Sequence, residues 1–288
     1  MPYPLTKLAY GLRCRLNELA TPVERYKLQI AAGNPSICPP KQLVQENYIL
    51  SPDFFLENGM VTMGHEFNDP FPNVKELVYG ENKLIECRLA VHFTRLSFSD
   101  LSSEIFDHTL FDEFSIVLKH CSLSKLFYTT LRQILPDVTH IYVVDNTNDS
   151  YEFNFTDLFI SFPVLKEIQI YCCTNNKWIT EILQSKNRSP FRLGVTFDSE
   201  ASKFEKFNFK DLLTLLKTRE PGFYLSIAIH YEEGEFDTYL SELQRFLDKN
   251  LMRGRKEDRT TISIFTSTDL YKRRVETWHV PKYVTKCK

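Results

Sequence analysis

Apolar positions recur along this chain with two periods. In a series of short segments they alternate, as side chains do on a strand with one buried face. Leu193-Gly-Val-Thr-Phe197, Leu225-Ser-Ile-Ala-Ile229 and Ile262-Ser-Ile264 are such segments. Between strands the apolar residues return every three or four places, as on one face of a helix. Leu123, Leu126, Phe127, Leu131 and Ile134 form one stripe, and Trp178, Ile179, Ile182 and Leu183 a second. Leu212, Leu213, Leu215 and Leu216 form a third, with Asn208 placed as its N-cap. Tyr239, Leu240, Leu243, Phe246, Leu247 and Leu251 form the clearest one. Strand alternating with helix many times over predicts an α/β fold.

Three of the strand segments share a phrase. It reads Phe71-Pro-Asn-Val-Lys-Glu-Leu-Val-Tyr79, then Leu135-Pro-Asp-Val-Thr-His-Ile-Tyr-Val143, then Phe162-Pro-Val-Leu-Lys-Glu-Ile-Gln-Ile170. Each continues to a small or polar residue three places on: Asn82, Asn146 and Cys173. The frame is that of a leucine-rich repeat, L-x-x-L-x-L-x-x-N/C. Weaker copies are Phe93-x-x-Leu96-x-Phe98 and Ile116-x-Leu118-x-x-Cys121. The fourth positions then fall at Leu77, Leu96, Ile116, Ile141, Ile168, Leu193, Leu225 and Ile262. Their spacing grows from 19 residues between Leu77 and Leu96 to 37 between Leu225 and Ile262, against about 20–29 in regular arrays. One repeat cannot bury its apolar face alone, so repeats stack on one another. The expectation is an irregular leucine-rich-repeat-like α/β solenoid over residues 74–270, with a C-terminal tail over 271–288.

Residues 1–37 have a different pattern. Leu5, Leu8, Leu12, Leu16 and Leu19 recur at three and four, giving one leucine face. Thr21-Pro-Val-Glu24 is a helix start, with Thr as cap, Pro in the first turn and Glu reaching back. Val23, Tyr26 and Ile30 line a second face, and Gly33-Asn34-Pro35 ends the helix. A proline-rich connector over 38–73 follows, with a short helix or strand between Gln42 and Leu50 and a polar loop at His65–Asp69.

The stretch from Pro4 to Leu28 resembles an F-box, in which spaced leucines precede a turn and a second helix. Leu5, Leu8, Leu12, Leu16, Leu19 and Leu28 fall on its apolar positions, and Pro22 on its second-helix start; Ala9 stands where the motif usually has Pro. An F-box-like segment ahead of leucine-rich repeats is similar to the ubiquitin-ligase substrate receptors, in particular the divergent F-box families expanded in nematodes. That resemblance implies docking of Leu5, Leu8, Leu12, Leu16 and Leu19 on the Skp-type linker subunit of a cullin–RING ligase, with the repeats holding a protein target. The alternatives are that the leucine face caps the open end of the array, or that the chain is an interaction or scaffold protein with no ligase role.

Composition narrows the remaining choices. Net charge is −2, with 35 basic and 37 acidic residues, so no global field favours nucleic acid. A basic loop, Arg253, Arg255, Lys256 and Arg259, and a second group, Lys272, Arg273 and Arg274 before Trp278, read as a solvated loop and a tail whose Trp packs on the last repeat, as a basic patch beside an aromatic that contacts nucleic acid, or as a contact for acidic parts of a target. No apolar run reaches the roughly 18 residues that span a bilayer. The seven scattered cysteines fit reduced thiols and an intracellular setting. No nucleotide-binding, metalloprotease or nucleophile-elbow motif occurs, and C-x-x-C is absent. His120 and Cys121 are adjacent, so on a strand they point to opposite faces. The chain is therefore expected to be a non-catalytic protein without cofactor or metal.

Overall fold

The structure, a computed structural model, describes residues 7–44, 49–65, 69–70, 83–145, 151–171, 177–185, 192–197, 205–231, 234, 236–267 and 273–282. Within these, fourteen strands form one mostly parallel sheet that is not closed, accompanied by seven helices. Seven strands make its centre: β6 (Lys83–Thr94), β7 (Thr109–Lys119), β8 (His140–Val144), β9 (Glu167–Tyr171), β10 (Arg192–Phe197), β11 (Tyr224–His230) and β13 (Thr261–Ser267). They are parallel and lie side by side in chain order. Parallel neighbours need a crossover. Helices α3 (Lys125–Ile134), α4 (Phe155–Ser161), α5 (Trp178–Gln184), α6 (Phe209–Thr218) and α7 (Asp237–Asn250) supply it from β7 onward.

The register explains the repeated phrase. Ile116, Ile141, Ile168, Leu193, Leu225 and Ile262, six of the expected fourth positions, stand opposite one another as one rung across the sheet. Two residues on, Leu118, Val143, Ile170, Val195, Ile227 and Ile264 form a second rung. All twelve are buried, and with the helix stripes they form one continuous core. Strand β6 joins these rungs through Val91 and Phe93. Leu96, expected at a fourth position, lies beyond the end of the strand. Pairing with β7, through a bulge at Leu89/Ala90, sets that register, and local spacing cannot reveal it. Leu77, Asn82, Asn146 and Cys173 lie outside the described residues.

Three strands end alike. Arg95, His120 and Asp145 follow register-equivalent residues and have φ of 58°, 52° and 49°. The left-handed region is unfavourable for residues with a Cβ. Here it is offset by bonds to the next strand, Arg95 N to the Lys119 carbonyl and His120 N to the Val144 carbonyl, both 2.9 Å. The turn delivers the Cys121 thiol to the Phe93 carbonyl of β6 at 3.2 Å. The Cys/Asn position of the frame thus satisfies backbone of the neighbouring strand at this point.

The sheet reaches past both expected boundaries. In the segment read as a connector, β1 (Leu43–Val44), β2 (Ile49–Leu50) and β3 (Asp53–Glu57) all pair in parallel with β6. Strand β3 turns through Asn58-Gly59, both at positive φ, into antiparallel β4 (Met60–His65), a turn chemistry suited to hairpins. His65 and Asp69, expected in a loop, pair as the ends of β4 and β5 (Asp69–Pro70). The prolines fit because Pro52 precedes a strand and Pro70 sits in the outermost one. At the other side β14 (Arg273–His279) runs antiparallel to β13, and β12 (Met252–Arg253) pairs with its end.

The helices match their stripes in most places. Helix α3 turns Tyr128 inward and leaves Leu126 exposed, and α6 is capped by Asn208, whose side chain accepts from Lys210 N at 2.8 Å. Helix α4, which no stripe announced, has seven residues; Asn154 caps it and the Glu181 carboxylate of α5 accepts from Phe155 N at 2.8 Å.

Candidate functional site

Two surfaces stand apart from the core. The first is built by α1 (Tyr10–Leu19) and α2 (Pro22–Ala32). Helix α2 begins as its sequence predicts. Thr21 Oγ1 accepts from Glu24 N at 3.3 Å, Glu24 Oε2 accepts from Thr21 N at 2.9 Å, and Gly33 closes the helix at φ 63°. Its buried face differs from the expected one. Ile30 is exposed, and the polar Gln29 is buried instead. Gln29 Nε2 donates to the Cys38 and Pro40 carbonyls at 2.7 and 2.9 Å, and its Oε1 accepts from Gln42 N at 3.0 Å. Those bonds fold the chain back beneath α2, where Ala20, Ile37 and Cys38 form a small core with Leu28 and Ala32. Nothing in the periodicity marked Gln29, because its partners are backbone groups at a distance.

Helix α1 contributes no buried residue to that core. Of the predicted docking leucines, Leu12 is 59% and Leu19 65% exposed, and Leu8 and Leu16 are half-buried. Leu5 lies outside the described residues. Leu16 and Leu19 line an apolar groove of about 470 Å³ with Ala20 and Leu28, flanked by Glu24 and Lys27. Tyr10 is 76% exposed. Four large apolar side chains thus lie open on a two-helix unit, and isolated exposed residues do not account for such a concentration.

The second surface is the sheet face turned away from the helices. Its middle rung runs Val117, Tyr142, Gln169, Gly194, Ser226 and Ser263. A Cβ on Gly194 would overlap the Gln169 carboxamide, so Gln169 lies across β10 and covers Gly194; Gly194 and Ser263 are buried, and Ser226 is half-buried. On the neighbouring rung Glu167 accepts from the Tyr142 hydroxyl at 3.2 Å and pairs with Arg192 at 3.6 Å. Burial and Glu167 together push the Tyr142 phenol up.

The basic segments divide by role. Arg253 makes two bonds to Asp248, both at 2.7 Å, and stacks over Trp278, whose indole also donates to Asp248 at 2.8 Å. Trp278 is buried, so this cluster locks β14 to α7. Arg255 and Lys256 are exposed on the loop that follows. His120 and Cys121 lie in the turn after β7 and not on a strand; the His120 ring faces Asp145 at 3.8 Å, while the Cys121 thiol donates to the Phe93 carbonyl and burial pushes it up to about 12. Cys14, Cys38, Cys87 and Cys121 are free thiols, and among the described residues no group of three or more acidic, His or Cys side chains could hold a metal ion. No helix among the described residues is long and apolar enough to cross a membrane.

Compared with known proteins, the chain matches no family model, no curated protein and no solved structure.

Proposed function

We propose that this chain is a protein–protein interaction adaptor, an F-box-like substrate receptor that joins a target to the Skp-type linker of a cullin–RING ligase. The observation that carries the reading is the exposure of α1. Its leucines are not spent on the repeat core, as Leu12 and Leu19 show. A cap closing an array would bury them, since each leucine removed from water contributes about 1.5–3 kcal/mol. The in-order parallel strands and their two apolar rungs support reading the remainder as an irregular leucine-rich-repeat-like solenoid that takes the target. The role is positional, and the chain performs no chemistry on the target.

An interaction module of the same fold without a ligase role is the second reading. It is favoured by Val23 and Lys27 of α2, which share a groove with Leu101 and Phe106 of the β6–β7 crossover and so tie the helical unit to the sheet. Capture of purified linker subunit decides between the two. The expected result is binding by the parent chain and loss in a Leu12→Asp, Leu16→Asp variant whose circular dichroism is unchanged. A folded parent that captures no linker removes the ligase role and leaves the second reading.

A further inference from the structure

The basic loop is absorbed neither by α1 docking nor by the Arg253–Asp248–Trp278 lock. It borders a concave site of about 270 Å³ where β10, β11 and β13 begin. The lining carries four cations, Arg192, Arg255, Lys256 and Arg259, and one carboxylate, Glu257. Two of the cations are partly compensated: Arg192 has Glu167 at 3.6 Å and Arg259 has Asp258 at 3.4 Å. Arg255 and Lys256 have no ion-pair partner among the described residues. Arg255 lies over the Tyr224 ring at 5.3 Å, an attraction that fixes a guanidinium without neutralising it.

The loop is also held in place. Gly254 N donates to the Thr277 carbonyl, and the His279 ring meets the Gly254 carbonyl, both at 2.8 Å. The Thr261 hydroxyl donates to the Lys256 carbonyl at 3.1 Å, and Arg259 N to the same carbonyl at 3.2 Å. Ordering that a loop has already undergone is not charged against binding. Opposite the loop, Gly222 at φ 94° keeps the turn before β11 bare. Tyr224 and Arg192 are register neighbours across β10 and β11, which sets the Arg255-covered ring beside the Arg192 side of the site.

We propose that this site binds a carboxylate of an acidic segment of a partner protein. This rests on reading the chain as a receptor for a protein target, and it names the chemistry of that target. A nucleic acid fits less well: tracking a phosphate backbone takes a run of cations, whereas here two uncompensated charges converge on one small concavity.

The test is fluorescence anisotropy of a labelled hexaglutamate peptide with the full chain at low salt, beside an Arg255→Glu, Lys256→Glu variant and an unlabelled oligothymidylate competitor. Both substituted residues are exposed, and circular dichroism verifies the fold. The expected result is saturable binding, weakened about tenfold or more in the variant, as charge reversal at two positions implies. It also weakens on raising salt. Lys256→Gln alone gives an intermediate loss. No binding, or equal binding by the variant, overturns the proposal. Displacement by oligothymidylate at lower concentration than by unlabelled hexaglutamate overturns it in favour of nucleic acid. Linker capture by α1, measured in parallel, is indifferent to the loop variant, so failure of the ligase role and failure of this site are read separately.

Discussion

Truncation of Leu12 and of Ile168 separates a docking face from a core. Ile168 sits mid-rung between Ile141 and Leu193 and is fully buried. Ile168→Ala leaves a cavity that the flanking strands cannot close, because their register is fixed on both sides, and the expected loss is about 2–5 kcal/mol. Leu12 is 59% exposed, so only about two-fifths of the usual 1.5–3 kcal/mol is at stake, roughly 0.6–1.2 kcal/mol. Urea unfolding followed by far-ultraviolet circular dichroism measures both at constant slope. The midpoint should fall steeply for Ile168→Ala and little for Leu12→Ala, while linker capture should weaken for Leu12→Ala alone. If Leu12→Ala cost as much stability as Ile168→Ala, α1 would be covered within the chain, and the docking argument would collapse.

Gln29→Leu removes the donor to two carbonyls and the acceptor for Gln42 N, leaving polar backbone groups buried under α2. The expected cost is about 1–3 kcal/mol for such groups, seen as faster hydrogen exchange at the Gln42 amide, which Gln29 Oε1 holds in the parent; unchanged exchange there would refute the assigned role. Asp248 predicts a pH effect. The Arg253 hydrogen bonds, then the Trp278 indole, hold its carboxyl below the ordinary 3.8. A depressed folded value contributes stability that is present above the unfolded value and is lost as pH falls through the folded one. Asp248→Asn should therefore be less stable than the parent at neutral pH and should converge with it in acid below pH 3.8; parallel stability curves would contradict the coupling.

How much of this was legible in the chain differs by element. The Thr21–Glu24 capping box and the Asn208 cap were readable because a cap is made within three residues. The rung from Ile116 to Ile262 was readable because a strand with one buried face must alternate, and identical demands on successive strands leave a common phrase. Leu96 misled for the converse reason: an apolar residue is buried either in a strand or just beyond its end, and only pairing with β7 tells which. The strands between Leu43 and Pro70 were hidden because β1, β2 and β5 are only two residues long and β1, β2 and β3 pair with β6, which lies downstream.

For the candidate site, the sequence by itself determined that residues 8–19 carry a leucine stripe and that residues 253–259 carry four cations. Tertiary structure decided what those residues are free to do. It turned Arg253 into a lock on Trp278 while leaving Arg255 and Lys256 uncompensated, and it sent Gln29 inward while leaving Leu12 and Leu19 in solvent. Spacing along the chain encodes which side chains share a face. Whether that face is covered, or that charge paired, depends on segments distant in sequence, and those meet only when the chain is folded.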